Sequence, residues 1–296
     1  MVNVLISTYN GEKYIREQID SILAQSYPDI RIYVRDDGST DGTIKILWEY
    51  SEKGLIRLSR GKNAGYGRSF GRLLKAAKEG DYWAFCDQDD IWLPDKVKWA
   101  VEWLEKQPAD VPALFGSAYE LTDESMETVT GKAMPPAYKV DFRRALTECV
   151  YMGFAMTINR PLRDLMLKAD MEEVTSHDWW AWILAERFGV HCFDGRIAAR
   201  HRRLDTSVSG MSMKNRFKWL AHTIRTGDTG ITSCARAYTK TFGNEMNDKE
   251  AEYARWFARQ GFRPDYALKK ALYPGRWRPE LSSEIVLRML MLLGRV

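Results

Sequence analysis

The stretch CDQDDIWLPDKV (Cys86–Val97) places three carboxylates within four residues directly after an apolar run, at Asp87, Asp89 and Asp90. Carboxylates this close repel one another, and a fold tolerates them best when a cation lies between them. Oxygen ligands of this kind suit Mg²⁺ or Mn²⁺. The structural alternative is a solvated turn that caps the helix beginning at Pro94, but capping needs only one acid. The stretch therefore predicts a divalent-cation site at the end of a buried strand.

Polar residues also follow two earlier apolar runs of the chain. Ser7–Asn10 (STYN) comes after the first run and Asp36–Ser39 (DDGS) after the second. In open α/β sheets, ligands bind outside the carboxyl ends of the strands, so we expect all three acidic or hydroxyl-bearing groups to share one crevice. A turn at Gly38 explains part of the second motif, whereas a carboxylate pair suits a nucleobase N–H or a ribose hydroxyl. No GxGxxG follows the first run, which argues against a dinucleotide-dependent enzyme.

Strand and helix patterns alternate through the first hundred residues. Short apolar runs predict strands at Val2–Ser7, Ile30–Val34, Leu55–Ser59 and Tyr82–Cys86. Helical spacing of apolar residues predicts helices at Glu12–Gln25, Asp41–Tyr50, Gly65–Lys78 and Pro94–Lys106. This rhythm predicts an α/β fold with a Rossmann-like, mostly parallel sheet flanked by helices.

The pattern loosens after Gln107. It predicts a loop at Thr122–Lys139, a strand at Cys149–Ile158, a tryptophan-rich helix at His177–Phe188, a strand at Val190–Asp194 and a polar loop at Arg200–Gly210. The remainder predicts a helical C-terminal extension. We therefore expect the chain to divide into three regions, residues 1–106, 107–210 and 211–296.

Composition excludes several classes of protein. The chain has 296 residues, of which 45% are hydrophobic and 28% charged, with a formal net charge of +4, so it is not a disordered chain. Its four cysteines form no CxxC pair, which favours a reducing, cytoplasmic compartment. No run approaches the roughly 18–20 apolar residues of a spanning helix. No nucleic-acid-binding signature is found, so we expect no nucleic-acid partner.

These motifs together resemble family 2 glycosyltransferases of the GT-A fold. The matching segments are VLISTYN (Val4–Asn10), SILAQSYPD (Ser21–Asp29), RDDGSTDGT (Arg35–Thr43), Asn63–Gly65 and CDQDDIWLPDKV (Cys86–Val97). The string DQDDIWLPDK resembles the rhamnosyltransferase-like branch, which builds bacterial surface polysaccharides. The resemblance implies that 1–106 is the nucleotide-sugar-binding half, that 107–210 is the acceptor-binding half, and that the two form one GT-A domain.

The resemblance also implies roles for individual residues near the donor. Thr8 and Tyr9 lie where the family contacts the nucleobase, and Asp37 where a carboxylate reads the base or ribose. Asp87 and Asp89 match the DxD motif, with Asp89 expected on the metal and Asp87 on the ribose or metal. For the diphosphate, the resemblance implies Arg68, which an exposed helix surface explains equally well. Arg200, Arg202 and Arg203 also suit a donor diphosphate by their chemistry. His201 resembles a histidine that closes the metal site, although its spacing to Gly210 departs from the branch.

The second half is expected to supply the catalytic base. Asp178 opens the tryptophan-rich helix where the family keeps an acid, with Glu172 and Glu173 as competitors. A structural alternative is that Asp178 merely complements the helix dipole. Trp179 and Trp180 are expected to stack on acceptor sugar faces.

The function expected from this resemblance is transfer of one sugar, or few, per encounter, with inversion and dependent on Mn²⁺ or Mg²⁺. The donor implied first is dTDP-L-rhamnose, with UDP-hexoses next, and the acceptor is a saccharide hydroxyl, which in this branch is often on a lipid carrier. A sugar nucleotidyltransferase would show a glycine- and lysine-rich first loop, which STYNGEKY lacks. A non-catalytic nucleotide- or carbohydrate-binding domain would not need Asp87, Asp89 and Asp178 together.

The C-terminal segment Tyr273–Val296 predicts an interaction surface. A helix capped by Ser282 or Ser283 and running to Leu293 would be apolar nearly all round. Residues 269–296 carry six basic and two acidic side chains, a surplus equal to the net charge of the chain. We expect peripheral attachment to the inner face of the cell membrane through this segment, or a homodimer through the same face.

Overall fold

A computed structural model describes residues 1–138, 140–204, 224–225, 230–243, 249–258 and 261–296. They belong to two compact units. The first combines Met1–Pro135 with Tyr151–Asp205, and the second combines Pro136–Val150 with Thr206–Val296. Residues 1–106 and most of 107–210 thus lie in one unit. The segment 136–150, which the sequence analysis assigned to the acceptor-binding half, belongs with the C-terminal helices.

The strands of the first unit form one sheet. They are β1 (Val2–Thr8), β2 (Ile30–Asp36), β3 (Arg57–Arg60), β4 (Tyr82–Cys86), β5 (Ile91–Trp92), β6 (Ala113–Thr122), β7 (Val129–Ala133), β8 (Met156–Asn159) and β9 (Val190–Arg202). Their order is β3-β2-β1-β4-β8-β6-β9-β5, and β7 pairs with β6. The first four strands are parallel, as predicted. Beyond β4 the sheet is mixed, because β8 is antiparallel to both β4 and β6.

Helices flank this sheet and make up most of the second unit. They are α1 (Ile15–Leu23), α2 (Thr43–Glu52), α3 (Tyr66–Ala76), α4 (Lys96–Leu104), α5 (Phe142–Ala145), α6 (Arg160–Met166), α7 (His177–Phe188), α8 (Gly230–Phe242), α9 (Lys249–Ala258), α10 (Pro264–Ala271) and α11 (Leu281–Leu292). The described helices include none that is long and apolar enough to cross a membrane.

The N-terminal half folds as its apolar pattern predicts. Val2, Val4, Leu5 and Ile6 of β1 are fully buried between helices on the two faces of the sheet. The helical spacing of Phe70, Leu73 and Leu74 predicts one inward face on α3, and all three are buried. The apolar spacing of the predicted helix Glu12–Gln25 places Leu23 on the same side as Ile15, Ile19 and Ile22, but Leu23 is 44% exposed at the end of α1.

Three predictions for the second half are wrong in part. The predicted loop Thr122–Lys139 contains β7, an exposed hairpin strand whose VTGKA sequence lacks apolar alternation and whose pairing comes from β6. The predicted strand Cys149–Ile158 begins only at Met156, after a 3₁₀ turn at Gly153–Ala155. The predicted loop from Arg200 begins later, because β9 continues to Arg202. The rest of that loop, residues 205–210, lies outside the described residues, as do 211–223.

In the second unit, Trp277 is fully buried and its ring packs against Tyr253, Phe257 and Tyr273. The indole Nε1 of Trp277 donates to the carbonyl of Lys270 over 2.9 Å, and the Thr147 hydroxyl donates to the carbonyl of Trp277 over 3.0 Å. Glu284 is 3% exposed and pairs with Arg288 at 2.6 Å. Its Oε2 accepts the backbone N–H groups of Trp277 and Arg278.

The N-cap of α11 is Glu280, without a side-chain cap, so the predicted serine cap at Ser282 or Ser283 is wrong. The hydroxyl of Ser283 instead donates to the carbonyl of Glu280 over 3.0 Å.

Candidate active site

The three polar motifs meet at one edge of the sheet, as expected. β1 lies between β2 and β4 and runs parallel to both, so the carboxyl ends of all three strands are neighbours. Gln88 joins two of these ends. Its Oε1 accepts the Thr8 hydroxyl at 2.6 Å and the Tyr9 N–H at 2.9 Å, and its Nε2 donates to the Tyr9 carbonyl at 3.2 Å. Sequence reasoning missed this role, although an amide inside an acidic motif was a signal.

This arrangement separates the two residues predicted to contact a nucleobase. The side chain of Thr8 is buried, and its hydroxyl is used by Gln88. The ring of Tyr9 is 45% exposed at the same edge. Tyr9 is therefore placed to meet a ligand directly, whereas Thr8 acts through the loop that it helps to hold.

Asp37 is held by the protein itself. Its carboxylate pairs with Arg35 and accepts the N–H of Ala64 at 2.9 and 3.0 Å and the N–H of Gly65 at 2.9 Å. The side chain is 4% exposed. Asp37 thereby fixes the Asn63–Gly65 loop that leads into α3, so its structural contacts are to that loop.

Asp36 is held in a similar way. Its carboxylate is buried, pairs with Arg60 at 3.2 Å and accepts the N–H of Ser39. Beside it lies an open depression of about 610 Å³ lined by Gly38, Arg60, Gly61, Lys62 and Asn63. Two cationic side chains thus border a concave surface at the ends of β2 and β3.

The carboxylates after β4 are less fully compensated by basic groups. Burial, followed by the charges of Asp90 and Asp89, raises the pKa of Asp87 well above its usual range, and the charge of Asp178 acts in the same direction. Burial and the charge of Asp90 raise the pKa of Asp89 to about 6. His201 offsets this repulsion only in part. The cluster therefore carries an excess of negative charge.

His201 lies beside these carboxylates. Its Nδ1 is 2.7 Å from Oδ1 of Asp90, whose side chain is fully buried. Burial lowers the pKa of His201, but the hydrogen bond to Asp90 and the nearby carboxylate charges outweigh it, and the net shift is upward. Oδ2 of Asp90 has no hydrogen-bond partner among the described residues.

Metal ligation by Asp87, Asp89 and His201 stays a prediction. Within the described ranges, no three His, Cys, Asp or Glu side chains are arranged as a ready ligand set. The chemistry of the cluster nevertheless fits a divalent cation. Carboxylate oxygens and an imidazole suit Mg²⁺ or Mn²⁺, and a cation would relieve the repulsion that raises the pKa of Asp87 and of Asp89.

Asp178 enters this edge from the start of α7. Its Oδ1 accepts the Ser176 hydroxyl at 2.7 Å and the Trp179 N–H at 2.8 Å. Ser176 occupies the N-cap position but makes no side-chain cap. The turn at Gly153 packs tightly here, since a Cβ on Gly153 would lie 2.8 Å from Nε2 of His177 and 3.6 Å from Cβ of Asp178. A glycine is therefore needed for this approach.

The competing acids are placed differently. Glu172 forms a bidentate salt bridge with Arg72 at 2.8 and 3.0 Å, which lowers its pKa and makes it a weaker base. Glu173 is exposed. Arg68 donates its Nε to the carbonyl of Glu172 at 2.8 Å. Among these acids, Asp178 is the one whose charge reaches Asp87.

One predicted acceptor contact is wrong. The ring of Trp180 is fully buried, and its Nε1 donates to the carbonyl of Met166 at 3.1 Å, so it cannot stack on a sugar. Trp179 is half-buried, so part of its side chain is accessible to solvent. A strict helical period explains the difference, because adjacent residues of a helix point about 100° apart.

Two arginines at the end of β9 have partners within the chain. Nε of Arg200 lies 3.3 Å from Glu120, and the side chain is 42% exposed. Arg202 donates to the carbonyl of Asp89 at 3.0 Å and pairs with Glu17 at 2.6 Å. Arg202 thus fixes the backbone of the acidic motif, while Arg200 retains access to solvent.

The fold and the acidic strand ends are those expected of a GT-A glycosyltransferase. Residues 3–165 match the family described as Glycosyl transferase family 2. The chain is also 44% identical over 226 residues to dTDP-rhamnosyl transferase RfbG of Shigella flexneri, which covers 73% of this chain and 78% of that protein. The chain belongs to glycosyl transferase family 2 and is a glycosyltransferase with a rhamnosyltransferase-like sequence.

Solved structures agree on the fold. Staphylococcus aureus TarS 1-349 in complex with UDP-GlcNAc has a TM-score of 0.54 at 18% identity, covering 99% of this chain and 90% of that chain. The mannosyltransferase PcManGT of Pyrobaculum calidifontis in complex with GDP-Man and Mn²⁺ has a TM-score of 0.51 at 17% identity, covering 99% and 85%. At these identities the likeness establishes the GT-A fold alone.

Proposed function

We propose that this chain transfers a single sugar, with inversion, from a nucleoside-diphosphate donor to a saccharide hydroxyl. The observation that carries the proposal is that two acidic groups, Asp87 and Asp178, lie within electrostatic range of each other. The charge of Asp178, on α7, acts on Asp87, at the end of β4, across the same edge of the sheet. A donor diphosphate bound at the acidic motif would then have a general base on its opposite side.

The proposed divalent cation is Mn²⁺ or Mg²⁺, held by Asp87 and Asp89 with His201. When bound, it would offset the negative charge that develops on the leaving nucleoside diphosphate. The PcManGT structure, which shares the GT-A fold and is a complex with GDP-Man and Mn²⁺, supports this choice of metal.

The chain's own groups supply the rest of the chemistry. Asp178 accepts the proton of the acceptor hydroxyl as that oxygen attacks the anomeric carbon. Because Ser176 and Trp179 both donate to Oδ1, Oδ2 is the oxygen that takes the proton. General-base assistance of this kind contributes roughly 10²–10⁴-fold. A single displacement inverts the anomeric centre.

The donor site is proposed along the carboxyl ends of β1, β2 and β4. Tyr9 contacts the nucleobase, and Thr8 positions Tyr9 through Gln88. Asp37 acts through the Asn63–Gly65 loop that it holds. Arg68 and Arg200 are both solvent-accessible, and a diphosphate would take over from their present partners. Trp179 is the proposed acceptor-stacking residue.

We propose dTDP-L-rhamnose as the donor and bacterial surface polysaccharide as the product. The support is the 44% identity to a dTDP-rhamnosyl transferase over most of both chains. A UDP-hexose is the second candidate, because the TarS structure, which shares this fold, is a complex with UDP-GlcNAc.

We also propose that the second unit binds the inner face of the membrane, where a lipid-linked acceptor would lie. Leu281, Ile285, Met289 and Leu292 form an exposed apolar stripe on α11, with spacings of four, four and three residues. Half of the six basic side chains counted from the sequence are committed internally. Lys270 is buried, Arg278 donates to the carbonyl of Thr147, and Arg288 pairs with Glu284. Lys269, Arg276 and Arg295 are left to attract an anionic surface.

Donor turnover and the base are tested together. The protein is mixed with Mn²⁺ and dTDP-L-rhamnose, UDP-glucose or UDP-GlcNAc, and nucleoside-diphosphate release is measured. We expect release from one of them, and Asp178→Asn to keep nucleotide binding by calorimetry while release falls by about 10²-fold or more. Glu173→Gln is the matched control and should be unaffected. Lost nucleotide binding in Asp178→Asn would assign Asp178 to the donor site, and no release from any donor would favour a binding domain.

The membrane surface is tested by flotation with vesicles containing anionic lipid. Ile285→Glu should leave the membrane fraction, whereas Ser282→Glu, an exposed polar position on the same helix, should stay. If the unaltered protein remains with the soluble fraction at low salt, the membrane proposal fails. A dimer that Ile285→Glu dissociates would then assign the stripe to a second copy of the chain.

A further inference from the structure

The first turn of α3 carries an exposed aromatic residue that the proposed mechanism does not use. Tyr66 begins the helix and is 59% exposed. Phe70, about one turn further along, is 1% exposed and belongs to the core. Burial in the core therefore does not account for the ring at position 66, and its surroundings indicate what it can bind.

The start of α3 is fixed to the side of the sheet edge where the donor is proposed to bind. Gly65, the residue before Tyr66, has a φ of +84° and donates its N–H to Asp37, directly after β2, over 2.9 Å. One turn later, the hydroxyl of Ser69 accepts from the hydroxyl of Ser7 in β1 over 2.7 Å. Tyr66 is thus held between two contacts with the carboxyl ends of β1 and β2.

The same turn of α3 also lies against the segment that leads into α7. A Cβ on Gly67 would collide with the carbonyl group of Thr175, so the two backbones are in close contact. The ring of Tyr66 meets that of His177 edge-on, with centroids 6.3 Å apart and an interplanar angle of 74°. His177 immediately precedes Asp178, the proposed base, so Tyr66 lies near the start of the helix that carries it.

His177 contributes an aromatic surface here. Its ring centroid lies 4.0 Å from that of Phe70 and 4.6 Å from that of Phe85 in β4. Burial lowers the pKa of His177 to about 4, so the imidazole is uncharged at neutral pH. The other three rings of this cluster are buried, and Tyr66 is the member that reaches solvent.

We propose that the ring of Tyr66 packs against the sugar that is transferred. The inference rests on the proposed sugar transfer and adds a residue that recognises the sugar itself. In a displacement with inversion, this sugar lies between the departing diphosphate and the hydroxyl that the base activates. Tyr66 is placed between the corresponding elements, the strand ends on one side and the start of α7 on the other. A tyrosine offers an apolar ring face to the C–H groups of a sugar and a hydroxyl for its polar rim.

The test compares binding of a nucleoside diphosphate with binding of the corresponding nucleotide sugar. Calorimetry is run on the full chain without acceptor, with dTDP and dTDP-L-rhamnose and, in parallel, with UDP and UDP-glucose. We expect Tyr66→Ala to bind the nucleoside diphosphate normally and the nucleotide sugar about 3–10-fold more weakly. Tyr66→Phe keeps the ring and should bind both normally.

Tyr9→Ala is the matched comparison, because Tyr9 is the other exposed tyrosine at this edge and is proposed to contact the nucleobase. It should weaken both ligands of a pair by the same factor. Thermal unfolding of each variant verifies that it is folded.

Each other outcome overturns the inference. Equal weakening of both ligands in Tyr66→Ala would assign Tyr66 to the nucleotide, and an equal loss in Tyr66→Phe would assign the effect to the hydroxyl instead of the ring. Unchanged binding with slower release of nucleoside diphosphate would reduce Tyr66 to a support for His177 and the base. If the unaltered protein bound none of the four ligands, the proposed function would fail as well, whereas binding without the sugar-specific loss would overturn this inference alone.

Discussion

The acidic pair Asp36–Asp37 at the end of β2 and the acidic segment Asp87–Asp90 after β4 occupy equivalent places on either side of β1. Their surroundings differ. Arg35, Arg60 and backbone N–H groups satisfy the first pair within the chain. In the second segment, burial and the charges of neighbouring carboxylates raise the pKa of Asp87 and of Asp89, and His201 offsets this only in part. The comparison teaches that two acidic strand ends of one sheet differ in how far the protein compensates their charge, and the less compensated one is the proposed ligand site.

Replacement of Asp89 should give the largest loss of activity. Asp89→Asn removes a proposed metal ligand and one source of repulsion, so we expect transfer to fall about 10³-fold or more while metal-free stability stays equal or rises. Turnover assays and thermal unfolding in EDTA measure the two effects. Near-normal turnover that still needs Mn²⁺ would contradict the assignment.

Replacement of Asp37 should lower the stability of the fold, in contrast to replacement of Asp89. Asp37→Asn leaves the buried Arg35 without its ion pair and weakens the hold on the Asn63–Gly65 loop. We expect a loss of about 3 kcal/mol in the free energy of unfolding. Denaturant unfolding measures this loss, with the exposed Asp110→Asn as control. If Asp37→Asn were as stable as the unaltered protein, the two acidic regions would not differ as described.

The pH dependence of stability sharpens the same contrast. The pKa of Asp89 is about 6 in the folded protein and about 4 when unfolded, so the folded state binds more protons between these values. The free energy of unfolding of the metal-free protein should therefore fall as pH rises from about 4 to about 6, by at most about 3 kcal/mol from this group. Asp89→Asn should lack that contribution. If the difference in free energy of unfolding between the two proteins did not depend on pH, this contribution of Asp89 would be contradicted.

The sequence was sufficient for the parallel half of the sheet. There, strands such as Val2–Thr8 are buried on both faces, so their continuous apolar runs are easily distinguished in the sequence from the periodic pattern of amphipathic helices. It was insufficient for β7, whose pairing is decided by β6 and not by its own residues. It also identified helix His177–Phe188 but misplaced Trp180, since tryptophan content alone does not tell which ring faces the core.

The site was predictable where a motif names the residue and unpredictable where a contact spans the chain. Asp87, Asp89 and Asp178 come from local motifs, and the structure brings their charges within range of one another. Gln88 and Asp90 make their contacts with Thr8 and His201, which lie 80 and 111 residues away. The commitment of Asp37 to the Asn63–Gly65 loop is likewise a long-range contact that no spacing in the sequence reveals.

Thermal unfolding with Mn²⁺ and dTDP tests most directly whether the uncompensated charge after β4 is a cation site. A ligand at about 100 times its Kd stabilises the folded state by about 2.7 kcal/mol. We expect Mn²⁺ with dTDP to raise the Tm of the unaltered protein by several degrees beyond dTDP alone, and Asp89→Asn to show no such increment. An equal increment in both proteins, or none in either, would contradict the account.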